Sequence, residues 1–141
     1  MKYFFDTSVL VPAFLDDHVH HKASIAALLN ASKRHACSAA HSLAEVYSTL
    51  TRMPGEQRAS AEEAILFLDS LSDRLTYVTL EADEYRSVIA NAAESGITGG
   101  QIYDALLAQC AIKAKAEIIY TWNVAHFQLL GDKVADLVRT P

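Results

Sequence analysis

The sequence predicts an α/β fold: a mostly parallel central sheet of four to five strands, flanked by helices. Three observations lead there. Short apolar, strand-like runs alternate with longer amphipathic stretches along the whole chain. The 141 residues are 51% hydrophobic, enough to fill a core. No repeat, low-complexity tract or linker divides them, so residues 1–141 read as one domain.

The elements follow in order. Residues 2–5 form a first strand, which should be central and buried, and 8–15 a short helix. Residues 20–31 form a helix that leaves Ile25, Leu28 and Leu29 for the core. A short strand near 35–38 leads into a helix over 40–53, with Leu43, Val46, Tyr47 and Leu50 at helical spacing. Pro54-Gly55 stops that helix. Ser60, with Glu63 three residues on, has the capping-box pattern and opens a helix over 60–71, on which Ala64, Ile65, Leu68 and Leu71 fall together. A strand over 75–80 precedes a helix over 82–95, ended by Gly96. Gly99-Gly100 precedes a helix over 101–114. A strand over 117–121, a helix over 124–130 and a weaker strand near 135–138 complete the chain.

Bulk properties exclude several classes. The net charge is −5 (12 basic against 17 acidic residues), which argues against coating nucleic acid by electrostatics alone. The basic groups Lys33-Arg34-His35, Arg52 to Arg58, and Lys113 with Lys115 read first as solvated helix faces. Cys37 and Cys110 lie far apart without a C-x-x-C, so they read as buried free thiols. No apolar stretch reaches the roughly 20 residues that span a bilayer. Asp6 interrupts the first apolar run too early for a signal peptide, so the expectation is cytoplasmic, with no membrane partner.

Four polar residues sit at the edges of these elements: Asp6, Glu45, Asp104 and Asn123. In parallel sheets, ligands gather beyond the carboxyl ends of the strands. An oxygen-rich cluster there suits a hard divalent cation, the usual tool for cutting phosphodiesters. Each residue also has a plain structural reading. Asp6 caps the following helix, and Glu45 is a surface acid near Arg52. Asp104 complements a helix dipole, and Asn123 starts a turn. Thr7, Ser8 and Thr121 place hydroxyls at the same strand ends, where they would support the carboxylates. His18-Val19-His20-His21 fits no closed metal site. Trp122, Phe127 and the tyrosines read as core or interface aromatics rather than base-stacking surfaces.

With these residues laid out, the chain resembles the PIN-domain nucleases, and within them the VapC-type toxins of bacterial toxin–antitoxin pairs. The resemblance rests on Phe5-Asp6-Thr7-Ser8-Val9-Leu10, Ser42-Leu43-Ala44-Glu45-Val46-Tyr47, Ile102-Tyr103-Asp104-Ala105-Leu106-Leu107-Ala108 and Ile119 to Phe127, in order over nearly the whole chain. It implies a PIN-like domain with Asp6, Glu45 and Asp104 as the three site acids and Asn123 at the fourth position. That position is often Asp in the family, which leaves the number of ions open. It further implies an endoribonuclease dependent on Mg²⁺ or Mn²⁺ that inhibits translation, an RNA substrate, a VapB-type antitoxin and a homodimer.

Three other readings compete. A catalytically weak or inactive PIN fold would bind RNA or a partner without cutting. A haloacid-type phosphatase needs Asp-x-Asp, and here the third residue is Ser8. A structure-specific DNA nuclease would carry more carboxylates.

Overall fold

The computed structural model describes all residues, Met1–Pro141. Five strands, β1 (Tyr3–Phe5), β2 (Ala36–Ala39), β3 (Thr76–Val78), β4 (Ile118–Tyr120) and β5 (Val138–Arg139), form one sheet in the order β3-β2-β1-β4-β5. Every pairing is parallel: Tyr3 aligns with Ala36 on one side and Ile118 on the other. The first strand is therefore the central one. The chain winds outward from it to β3, then crosses back to β4, so the winding reverses between β1 and β4.

Alternation along the strands explains the two apolar layers. Phe5 and Ala36 face a core with Val9, Leu10, Val46, Leu50 and Leu71. Phe4 and Cys37 face the other, with Leu107, Ile119, Phe127 and Val134. Helices α1 (Thr7–Phe14), α2 (His21–Leu29), α3 (Ala40–Arg52) and α4 (Ala61–Arg74) pack together on the first face. On the second, α6 (Gln101–Lys113) contacts β2 and β3, with α5 (Ala82–Glu94) and α7 (Val124–Gln128) beside it. A final α8 (Asp132–Ala135) precedes β5. Ser60 caps α4 with the reciprocal Glu63 box, as the pattern predicts.

Several expectations shift. The last strand is Val138–Arg139, because residues 132–135 close a helical turn after Gly131. The third strand is shorter than 75–80, since only 76–78 reach a neighbour to pair with. Ile65 and Leu29, expected in the core, are about half exposed, because their helices pack on one side only. Cys37 and Cys110 are buried and unpaired, as expected, and burial pushes both thiols up to about 11.

Candidate active site

The polar residues converge where the chain reverses direction across the sheet. Asp6 ends β1, and its backbone N–H donates to Tyr120 O at 3.0 Å, locking the ends of β1 and β4 together. Asp6 is almost fully buried. Although it occupies the N-cap position of α1, its side chain does not cap the helix. Ser8 Oγ donates to Asp6 Oδ2 at 2.6 Å and Thr121 Oγ1 donates to the same oxygen at 2.7 Å. Those hydroxyls are themselves held. Trp122 N–H donates to Ser8 Oγ and Asn123 N–H to Thr121 Oγ1, both at 2.9 Å. Two backbone donors thus orient two hydroxyls, which aim one carboxylate and leave its Oδ1 free of side-chain donors.

Glu45 reaches the site from the second turn of α3. It is half-buried rather than on an open face. Thr7 Oγ1 donates to Glu45 Oε1 at 3.0 Å, and the buried Ser42 Oγ lies 3.0 Å from the same hydroxyl. Asp104 comes from the first turn of α6. The turn before it depends on Gly99 at φ +62°, a conformation that costs a glycine nothing. Asn123 is exposed at the N-terminus of α7, and its amide makes no hydrogen bond within the chain.

Asp6, Glu45, Asp104 and Asn123 all line a single cleft of about 450 Å³. The electrostatics are those of crowded acids. Burial raises the Asp6 carboxyl above the usual carboxylate range, against the pull of the Ser8 and Thr121 hydroxyls. Asp104 is pushed up to about 6, first by burial, then by the Asp6 charge and with a smaller push from Glu45; His126 opposes the rise. His126 Nδ1 lies 3.5 Å from Asp104 Oδ2. No three His, Cys, Asp or Glu side chains stand close enough to close around an ion by themselves.

Sequence reasoning did not place four residues here: His126, Ser42, His18 and His20. His126 follows Asn123 by three residues, the spacing that returns to the same face of a helical turn. Ser42, one turn before Glu45 on the same helix, was legible in the same way. His18 and His20 line the cleft, yet their loop follows no period that would place them there. Of the two aromatics, Phe127 is fully buried, while Trp122 both packs on the core and walls the cleft.

Residues 3–127 match the PIN domain family. The chain is 36% identical to the Ribonuclease VapC40 of Mycobacterium tuberculosis over 114 residues, 81% of each protein. It is 35% identical to Ribonuclease VapC27 of the same species, over 80% of this chain and 79% of that one. Among solved structures, the sarcin-ricin loop cleaving toxin VapC20 of M. tuberculosis superposes with a TM-score of 0.70 at 16% identity, over 86% of this chain and 90% of that one. A chain of VapBC2 from Rickettsia felis, solved on a DNA fragment from its promoter, gives 0.69 at 21% identity, over 99% and 98%. The chain therefore belongs to the PIN-domain family and, within it, to the VapC-type ribonucleases.

Proposed function

We propose that this protein is a divalent-cation-dependent endoribonuclease, the toxin of a toxin–antitoxin pair, hydrolysing RNA phosphodiesters and so inhibiting translation. One observation carries the reading. Asp6, Glu45 and Asp104, from three separate elements, line one cleft, and their charges oppose one another there. Nothing in the architecture of the sheet requires this. Acids without a cation destabilise the fold, so the arrangement has a use outside folding.

The donor set fits Mg²⁺ or Mn²⁺. All four groups offer oxygen, and Asn123 adds a neutral amide oxygen. Mg²⁺ keeps several waters and takes one or two carboxylates, a number Asp6 and Asp104 could supply. Asp6 and Asp104 would hold the ion, with Glu45 and Asn123 reaching it directly or through water. When bound, it supplies positive charge against the phosphate oxygens and acidifies water. The protein's own residues do the rest. Ser8 and Thr121 fix the Asp6 carboxylate, and Thr7 fixes Glu45.

A VapB-type antitoxin as partner, and a homodimer that joins two modest basic surfaces around the sites, belong to the same proposal. The relatives named as ribonucleases support the nuclease, and the VapBC2 neighbour supports the antitoxin. The test is cleavage of a panel of labelled cellular RNAs by purified protein with Mg²⁺ or Mn²⁺, with EDTA, and with Asp6→Asn. Metal-dependent cutting lost in the variant is the expected result. RNA binding without cleavage under any metal would favour the non-catalytic PIN module instead.

A further inference from the structure

The acidic cleft does not end at the carboxylates. Glu45 and Thr49 line it and also a second groove of about 420 Å³ on the outer side of α3. The two meet at Glu45 and Thr49, with Asp6 and Asp104 in the first of them. Each arm carries a pair of rings lying parallel. In the first arm the His20 imidazole lies on the Trp122 indole, centroids 3.7 Å apart and planes within 8°. In the second, His41 and Tyr103 lie within 3° of parallel at 5.7 Å, and Arg52 supplies a cation.

We infer that these two ring pairs, with Arg52, grip the nucleotides on either side of the scissile phosphate by stacking on their unpaired bases. The inference rests on the ribonuclease reading above and deepens it. The charge balance is the first argument. The first arm is lined by no Lys or Arg and the second by Arg52 alone, in a chain of net charge −5. Within the arms Arg52 is the one Lys or Arg side chain available to phosphate, so a further source of affinity is needed beside the cation and the basic surfaces. Stacking on rings is the available source, and it requires unpaired bases.

The second argument is that both pairs are built into the site. Trp122 Nε1 donates to the buried Ser24 Oγ at 2.9 Å, and its backbone N–H feeds the Ser8 hydroxyl that holds Asp6. The loop bearing His20 is pinned at His21, whose Nδ1 donates to Pro12 O at 2.8 Å. Tyr103 directly precedes Asp104, and His41 lies one turn before Glu45. The second pair therefore sits on the two helices that carry two of the acids. Tyr103 is half exposed although large and aromatic, and no apolar neighbour accounts for it.

Binding separates this inference from the catalytic one. Asp6→Asn protein would be titrated with labelled oligoribonucleotides by fluorescence anisotropy, comparing a dinucleotide, a strand of about ten nucleotides and a duplex of the same sequence. Adding Tyr103→Ala or His20→Ala is expected to weaken single-strand binding, of the dinucleotide and the longer strand alike, about tenfold each and to leave the weaker duplex binding unchanged. Tyr103→Phe and His20→Phe keep a ring and restore binding. Arg52→Ala lowers the salt slope by about 0.7. In proteins with Asp6 intact, the same ring losses raise KM and leave kcat nearly unchanged. Duplex binding as tight as single-strand binding, or ring variants that bind like the parent, overturns the inference. Absence of RNA cutting by the unmodified protein refutes catalysis alone, because the binding titration still decides the ring pairs.

Discussion

Replacing Asp104 by Asn should stabilise the metal-free protein, although it removes a residue assigned to the site. The pKa of Asp104 moves from 3.8 to about 6 on folding, through burial and then the charges of Asp6 and Glu45. A shift near two units corresponds to ~3 kcal/mol. The side chain keeps 18% of its exposure, and water in the open cleft screens the repulsion, which brings the expected gain to ~1–2 kcal/mol. Because the folded-state pKa is raised, the cost of the carboxylate is absent below 3.8 and complete above about 6. The gain from Asp104→Asn is therefore full at about pH 7.5 and roughly halved at about pH 5. For a protein of this size, that is a rise in Tm of about 3–6 °C. Asn retains the shape and still accepts from His126, so packing changes little. The assay is thermal unfolding in EDTA at both pH values. A lower Tm for the variant at the higher pH, or a shift independent of pH, would refute the claim that the acids oppose one another.

Adding Mg²⁺ or Mn²⁺ should raise the Tm of the unmodified protein and lose most of that effect in Asp6→Asn, read by the same unfolding assay. Thr121→Val keeps the shape but removes a donor from Asp6 Oδ2 and the acceptor for Asn123 N–H; it should lower metal affinity and RNA cleavage about 10–100-fold, measured by titration and initial rates. Ser60→Ala, remote from the cleft, should cost about 1 kcal/mol in urea unfolding by breaking the α4 capping box, with cleavage unaltered. Phe127→Ala, emptying the core beneath α7, should cost about 3–5 kcal/mol in the same assay.

The central strand was legible because Tyr3-Phe4-Phe5 is apolar on both faces, which only a strand between two helical layers requires. The α4 cap was legible because its two partners are local in sequence. Element ends were less so. Residues 135–138 carry a strand-like run, but bonding to β4 begins only at Leu137 O, which accepts from Ile119 N–H, so the preceding residues close a helical turn instead. The half-exposed Ile65 and Leu29 show the same limit. Helical spacing names a face, while the neighbours that cover it come from elsewhere in the chain.

The site divides along similar lines. Asp6, Asp104 and Asn123 could be singled out because each sits at the end of an element, where the rules of parallel sheets say ligands collect. Their local readings as caps were equally available. Asn123 makes no side-chain cap bond, and Asp6, although the Thr7 and Ser8 backbone N–H groups lie near its carboxylate, meets no full cap geometry. Asp6 instead accepts from Ser8 and Thr121, the latter 115 residues away. A helix cap has no use for a hydroxyl from another strand, whereas a carboxylate held in one orientation does. That long-range bond depends on β1 and β4 lying side by side, and no local pattern in the sequence encodes their adjacency. The same adjacency brings Trp122 against His20, which is why the ring pair beside the acids could not be seen until the sheet order was known.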